Sequence, residues 1–457
     1  MPEDLLAVAS VADVGYSGRE VARIDAVIAR IAAAAAARDH DGNPDRGLRA
    51  DVRELAALGL TAARLPVSAG GAGLTYPQLV DLQILLARAD ANVTQSLRSH
   101  FTTSDRAARA IGRGETDAAT TDIAAGLLFA GATTEGSGEI GVVGTTLRTD
   151  ADGILRLSGR KAYATGTGYA DRISVLASDE TGRHLVVVVP ADAAGIVLHD
   201  DWDGVGQRLT TSGTVEFTDV AVDPQRVRVG EGSSADRPGA LDAVLQLTHL
   251  ATLAGIVLRT RDDAIAWLRS RTRNFSHAST EIPADDPQLQ ERIGTLDGLA
   301  QSVVASVRAA AAVLGDDLAR PAVEQTGDGH VAVTRAQVVV PALVLQAAQS
   351  VFDLGGGSLV DARLALDRHW RNARTLTNHN PVHLKARALG ERALRGAELP
   401  AIWYAGTGRL AAPASASVPA EPRTSAESRM PEATRLRDRA DLRESAAPTA
   451  GRKESSR

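Results

Sequence analysis

The densest concentration of side chains able to do chemistry lies at residues 368–385, RHWRNARTLTNHNPVHLK. Asn380 followed by Pro381 reads as an N-cap and first helical residue, since Asn accepts from free backbone N–H groups and Pro has no N–H to leave unpaired. A helix is therefore expected from Pro381 through Val382, Leu384, Ala386 and Leu389. His379 then lies just ahead of its N-terminus, where the macrodipole disfavours imidazolium and favours an anion. The chemistry on offer is a neutral imidazole donating to a developing oxyanion. A solvated histidine at a helix–helix corner is the competing reading. His379 and His383 have the i, i+4 spacing of a metal pair, but no third ligand accompanies them, so no metal is expected. His369, beside Trp370, reads as an anchor for a helical bundle.

The elements that must position this block follow from composition and period. A chain of 457 residues has room for two or three structural units. A formal net charge of −6 argues against nucleic acid, and no unbroken apolar run of membrane-spanning length stands out. The acidic start, MPEDLLAVASVADVG, lacks the basic region and apolar core of a secretion signal. With no cysteine, disulfides and thiol chemistry are excluded, which fits a cytoplasmic setting. Aromatic residues make up only 3%, so the core must be built of Ala, Leu and Val.

Val21, Ile24, Val27, Ile28 and Ile31 recur at helical spacing, and the alanines after them favour the same helix. A second helix is expected over 48–58, closed by Gly59. Pro77 opens a third, and residues 93–111, containing SLRSHF, form a fourth. From about residue 125 the period changes to short β-prone runs with glycine and DADG turn signals, including RHLVVVVP and strands near 195–199 and 214–222. Helical period returns after Pro238 over 240–272, 287–315, 332–354, 361–376 and 381–396, the pattern of an antiparallel bundle. The expected organisation is α+β and multidomain: N-terminal helices over 1–124, a central β-barrel or sandwich over 125–235, a helical bundle over 236–407, and a disordered tail over 408–457, too poor in large apolar residues to order itself.

This order, with the blocks LGLTAARLPVSAGGAGLTY, TTEGSGEIG, KAYATGTGYAD, DWDGVGQRLTTSGTVEFTDVAV, RTRNF and FDLGGGS, resembles the acyl-CoA dehydrogenase superfamily of flavoproteins over roughly residues 20–403. The resemblance implies that Thr134 meets the pyrimidine side of a flavin, that Tyr163 packs on the ring, and that Thr165 places a hydroxyl near N5 and C4a. It implies further that Trp202 flanks the flavin, with Arg208 in the same loop, and that Ser212 approaches its phosphate chain. Arg273 and the glycines Gly355 and Gly356 would serve a flavin phosphate across a subunit interface, through guanidinium pairing and close backbone approach. On the residues alone, these positions read equally as strand residues, a tight turn, a surface arginine and a helix stop.

A dehydrogenase needs a carboxylate base, and no Asp or Glu occurs from 368 to 385. The block WRNARTLTNHNP instead resembles the two-component flavin monooxygenases typified by dibenzothiophene monooxygenase. That branch uses flavin reduced by a separate reductase, forms a C4a-hydroperoxide with O2, and transfers one oxygen atom to a small organosulfur or other heteroatom substrate. By this resemblance His100, Thr165 and His379 converge on the reactive edge of the flavin, to hydrogen-bond and protonate the adduct while water is excluded. It implies reduced FMN as cofactor, with FAD the alternative, a transient flavin reductase partner, and a homo-oligomer, dimer or tetramer. Where some members carry a second histidine, this chain has Leu376, which leaves the substrate open. An acyl-CoA dehydrogenase with its base on an earlier helix, and a flavin-binding protein without turnover, are the alternatives.

Overall fold

The computed structural model describes residues 10–17, 20–41, 48–115, 117–136, 138–139, 142–229, 238–401 and 403, and statements of absence refer to these. All of them fall in one compact unit, Met1–Arg409. The tail expected to be disordered lies outside the described residues, as do the first nine residues of the acidic start.

Six helices come first: α1 (Val21–Asp41), α2 (Leu48–Ala57), α3 (Tyr76–Ala89), α4 (Ala91–Ser96), α5 (Arg98–Gly112) and α6 (Ala119–Ala124). Helix α3 starts from a reciprocal capping box between Thr75 and Gln78, with Pro77 in its first turn. The single helix expected over 93–111 is two. Leu97 leaves helical geometry at φ −90° and ψ 5°, and Asp90 caps the short α4 through the Asn92 N–H at 2.9 Å. This break sets the direction in which Arg98, the first residue of α5, departs.

The central unit contains β1 (Phe129–Ala132), β2 (Thr146–Thr149), β3 (Leu155–Lys161), β4 (Arg172–Ser178), β5 (His184–Pro190), β6 (Ile196–Leu198), β7 (Val215–Val222) and β8 (Val227–Val229). Its strand order is β6-β7-β3-β2-β4-β5-β8, with β1 parallel to β4. The sheet folds where β2 meets β4 through a single residue pair, Thr146 and Ser178. Two leaves, β6-β7-β3-β2 and β1-β4-β5-β8, thereby close on one apolar core of Leu157, Ile173, Val175, Val187, Val215, Phe217 and Val220. Alternate residues of β4 and β5 supply that core, as strands with one face buried require. The expected barrel or sandwich is thus one continuous, sharply folded sheet.

The bundle consists of α7 (Ala240–Arg269), α8 (Pro287–Leu318), α9 (Asp328–Ser350), α10 (Asp367–Thr377) and α11 (Val382–Arg395). Its apolar core is continuous with that of the N-terminal helices. Gly255 of α7 permits this, because a Cβ there would stand 2.3 Å from the Ala87 Cβ on α3. The expectation that no segment is apolar enough to span a membrane needs correction: α7, α8 and α9 reach that length and composition. For α7 the cause is bundle packing, since 83% of its most apolar stretch is buried inside the protein, and a helix apolar all round belongs in a core. The corresponding stretches of α8 and α9 are only 39% and 50% buried.

Candidate active site

One wall of the site comes from the end of β3 and the loop before β7. Tyr163 leaves β3 with φ 54° and is 64% exposed, an orientation that costs a non-glycine residue energy and holds its ring outward. The Trp202 ring meets it edge to face at 6.2 Å, and its Nε1–H donates to the Gln207 carbonyl at 2.8 Å. Thr165 Oγ1 lies 2.9 Å from Ser212 Oγ, which lies 2.7 Å from Thr210 Oγ1, so three hydroxyls form a short chain at the mouth of the loop. Thr134 is exposed, and its carbonyl accepts from the Ala162 N–H at 2.9 Å, which fixes the strand end bearing Tyr163.

The opposite wall is helical. His379 occupies the turn between α10 and α11, where its ring meets that of His249 on α7 at 4.3 Å between centroids. Gln246, one turn before His249, is the hub. Its Nε2 donates to Asp242 at 3.0 Å, and its Oε1 accepts from Gln337 of α9 at 2.9 Å and from Asn380 at 2.5 Å. Lys385, with a fully buried side chain, donates to Asp242 at 3.3 Å and lies over the Trp403 ring at 5.1 Å. Arg98 closes the group from α5, its Nε buried and without a partner.

The two walls are fastened together by backbone contacts. Gly166, next to Thr165, has φ +85°, and a Cβ on it would lie 2.1 Å from the Ser96 carbonyl, two residues before Arg98. The Trp202 loop docks on α10, where Asn372 Oδ1 accepts from the Gln207 N–H at 2.6 Å and Arg371 Nη1 donates to the Val205 carbonyl at 3.3 Å. Gly206 sits so close to the Arg371 carbonyl that a Cβ would come within 2.1 Å of it. The block at 368–385 therefore both supplies His379 and anchors the loop that presents Trp202. As expected, His369 is an anchor: its Nε2 is 2.9 Å from Asp263, which also pairs with Arg368 and Arg259.

Burial and neighbouring charges act on the titratable groups of the helical wall. Burial, then the cations Arg98 and Lys385, pull the His379 pKa down to about 3, against a weaker upward pull from Asp242. The His379 residue is nonetheless exposed, and this softens the desolvation. The cations act in the same direction, so the imidazole is neutral. Burial also takes His249 well below its usual value, reinforced by His379, Arg98 and Lys385. Asp242 is ionised: burial pushes its pKa up, but His330, Lys385 and Gln246 together hold it below the ordinary carboxylate range.

Several expected roles change. His100 is fully buried; its Nδ1 accepts from the Phe129 N–H at 3.3 Å, so its Nε2–H donates to the Thr61 carbonyl at 2.9 Å. Both ring nitrogens are spent on backbone, and His100 ties α5 to β1 rather than facing a flavin. Asn380 does not cap α11; the helix starts at Val382 without a side-chain cap, and the Asn380 amide is directed to Gln246. Arg208 is exposed and donates to the Asp39 carbonyl of α1 at 3.2 Å. Arg273, Gly355 and Gly356 gather beyond the C-terminal end of α7, where Gly355 abuts Trp267 and Gly356 abuts Phe275. At ~1.5 Å per residue, the end of α7 at Arg269 lies roughly 35 Å from Gln246 along the helix axis. These three residues thus belong to a different place on the chain from His379.

Sequence reasoning missed Arg98, Gln246 and His249. The last two interrupt the apolar run ALDAVLQLTHLATLAGIVL, and two polar residues within a helix that is otherwise core were the available signal.

An outward-facing tyrosine, a flanking tryptophan and a row of hydroxyls fit the requirements of a flavin, which needs flat apolar neighbours and a few fixed polar groups at its edge. Residues 247–383 match the family described as acyl-CoA dehydrogenase, C-terminal domain. The probable FMNH2-dependent monooxygenase SfnC of Pseudomonas putida is 30% identical over 249 residues, spanning 53% of this chain and 63% of that protein. Dibenzothiophene monooxygenase of Rhodococcus qingshengii is 26% identical over 382 residues, covering 80% of this chain and 90% of that protein. The FMN-bound structure of TdsC from Paenibacillus sp. A11-2 superposes with a TM-score of 0.74 at 24% identity, over 86% of this chain and all of TdsC, a likeness of fold. With helices, folded sheet and bundle in the same order, the chain shares the fold of TdsC and is similar in sequence to flavin-dependent monooxygenases and, over its bundle, to the acyl-CoA dehydrogenase C-terminal domain.

Proposed function

We propose that this protein is the oxygenase component of a two-component flavin monooxygenase. It takes FMN reduced by a separate, transiently bound reductase and, with O2, oxygenates a small organosulfur or other heteroatom compound. The FMNH2 dependence of SfnC and the FMN bound in TdsC favour FMN over FAD. Reduced FMN supplies two electrons and O2 the transferred atom, the second oxygen leaving as water. Tyr163, Trp202, Thr165 and Ser212 would hold the flavin, which would supply the redox chemistry, and neutral His379 would serve as a proton donor.

The observation that carries this reading over a dehydrogenase is the state of Asp242. It is the carboxylate that reaches the His379 cluster, and it is bonded to Gln246 and Lys385 with a lowered pKa. A carboxylate so held is a poor base for an α-proton, whereas a neutral imidazole suits oxygen chemistry.

The same reading makes the enzyme a cytoplasmic homo-oligomer, dimer or tetramer. Arg273, Gly355 and Gly356 lie too far along α7 to serve their own chain's His379 site, and they suit the flavin phosphate of a neighbouring copy. The half-covered faces of α8 and α9 offer the apolar area for such an assembly.

The test is paired. Acyl-CoA thioesters added anaerobically to the FMN-loaded protein, and separately to the FAD-loaded protein, should leave the flavin oxidised. Supplied with NADH and a flavin reductase, the protein should oxygenate organosulfur compounds at the expense of O2. Bleaching of the flavin by an acyl-CoA would replace the oxygenase with a dehydrogenase.

A further inference from the structure

Lys161, the last residue of β3, is fully buried, and its Nζ donates to Glu135 Oε1 at 2.6 Å. The same oxygen accepts from the Thr145 N–H and the Thr145 hydroxyl, both at 2.9 Å, while Oε2 accepts from the Gly144 N–H at 2.8 Å. Burial pushes the Glu135 pKa up, but the Lys161 bond and the two N–H groups outweigh it and hold the carboxyl at about 2, so it is ionised. One carboxylate thus ties the segment after β1 to the start of β2 and the end of β3. Gly159 lets β3 run close enough for this, since a Cβ there would stand 2.5 Å from Thr145 Oγ1.

A buried ion pair is weak support for stability, and its best-attested use is to fix a register. Here the residue that depends on register is Tyr163, two positions beyond Lys161. Residues two apart on a strand share a face, so a β3 that simply continued would send the Tyr163 ring inward beside Lys161. Instead Tyr163 takes φ 54° and is 64% exposed. Two backbone bonds flank it, from the Ala162 N–H to the Thr134 carbonyl at 2.9 Å and from the Ala164 N–H to the Gly213 carbonyl at 3.0 Å. Thr134 adjoins Glu135 and Ala162 adjoins Lys161, so the ion pair and the first of these bonds are neighbouring rungs between the same two segments.

Resting on the oxygenase reading, we propose that Glu135 and Lys161 are positioning residues: their ion pair ends β3 at Lys161 and holds the turn that aims the Tyr163 ring at the flavin. Neither side chain needs to touch the flavin. The pair acts through the backbone at Ala162, and its loss should let the Tyr163 ring leave Trp202, which it meets edge to face at 6.2 Å.

Fluorine NMR of the full-length, flavin-free protein labelled with fluorotyrosine reads the ring directly. The chain has five tyrosines, and Y163F assigns the resonance of Tyr163. Tyr16 and Tyr76, in the helical core, are internal controls. In E135Q and in K161M the Tyr163 resonance should move toward that of free tyrosine while the controls stay in place, and FMN affinity by fluorescence titration should fall about fivefold or more. The double variant E135Q/K161M leaves no charge unpaired, guards against misfolding of the single variants, and should show the same displaced ring. In a Y163A background, K161M should cost less than about twofold in FMN affinity, because the ring it positions is gone. A Tyr163 resonance unmoved in all three variants would overturn the proposal. Movement of the control resonances along with it in the double variant would also overturn it, by making the pair a prop of the whole fold. Failure of the oxygenase reading looks different: wild type would not bind FMN, yet the Tyr163 resonance would still follow Lys161, which supports the role of the pair.

Discussion

The His249 and His379 rings meet edge to face, 4.3 Å between centroids and 64° between planes, so that a core helix position directly supports the ring offered to the cleft. The two come from elements 130 residues apart, and the contact is packed from behind by Gln246, which Asp242, Gln337 and Asn380 hold in place. A ring fixed this way can present its nitrogens in one orientation without reorganising during reaction.

His379→Ala should therefore separate flavin binding from productive use of O2. Product formed per O2 consumed should fall by at least an order of magnitude and hydrogen peroxide should rise to match, with FMN affinity changed less than about threefold. Oxygen uptake, peroxide and product measured together check this. Full coupling in the variant would remove His379 from the reaction.

His100→Ala is expected to behave in the opposite way. Removing a buried ring that bonds the Thr61 carbonyl and the Phe129 N–H leaves two backbone groups unpaired, at about 1–3 kcal/mol each. Chemical denaturation should show a loss of that order. The folded fraction should bind FMN as tightly as wild type, and a selective loss of coupling without a loss of stability would restore a catalytic role to His100.

Gly206→Ala tests the docking of the Trp202 loop. Its new methyl would collide with the Arg371 carbonyl and push the loop from α10, as Asn372→Ala would by removing the acceptor of the Gln207 N–H. Both variants should bind FMN at least several-fold more weakly by fluorescence titration while keeping most of their helical content. Unchanged affinity in both would mean that the loop does not line the flavin site.

The buried imidazoles set a pH dependence of stability. Burial lowers the pKa of His100 to about 4, and that of His369 likewise, with Arg368 adding to the effect there and Asp263 opposing it. Each therefore takes up a proton in the unfolded chain before it does in the folded one. Stability is unaffected above the unfolded value near 6.5 and falls as pH drops from there toward 4. At ~1.4 kcal/mol per unit, His100 alone accounts for about 3 kcal/mol across that window. Denaturant melts at pH 7.5, 6 and 5 check the slope, which should flatten in His100→Gln. A stability independent of pH above 5 would contradict the buried neutral ring.

The helices and strands were legible because period and caps act locally. Pro77 in the first turn of α3, Gly59 at φ 82°, and β5 in RHLVVVVP appear where the sequence places them. The site was legible in part. Tyr163, Thr165, Trp202 and Ser212 were singled out from their blocks, and Tyr163 meets Trp202 while Thr165 bonds Ser212; His379, singled out from another block, meets His249. His100 was misread because a block names a helix without naming its face. Residues two apart on a helix point in nearly opposite directions, so Arg98 toward the cleft entails His100 away from it. Gln246 and His249 escaped for a different reason. Their partners Gln337, Asn380 and His379 are 91, 134 and 130 positions distant, and no local pattern encodes such a meeting. Asn380 was misassigned by the same cause: its Nδ2 donates to a tertiary acceptor, Gln246 Oε1, at 2.5 Å, and no side chain caps α11.

The central claim is that these residues let reduced flavin and O2 react productively. Stopped-flow absorbance after mixing the anaerobic protein–FMNH2 complex with oxygenated buffer tests it most directly. The account predicts a transient spectrum belonging to neither reduced nor oxidised FMN, decaying at least tenfold faster to oxidised FMN and peroxide in His379→Ala. A single-phase return to oxidised FMN, at the rate seen for FMNH2 free in solution, would contradict it.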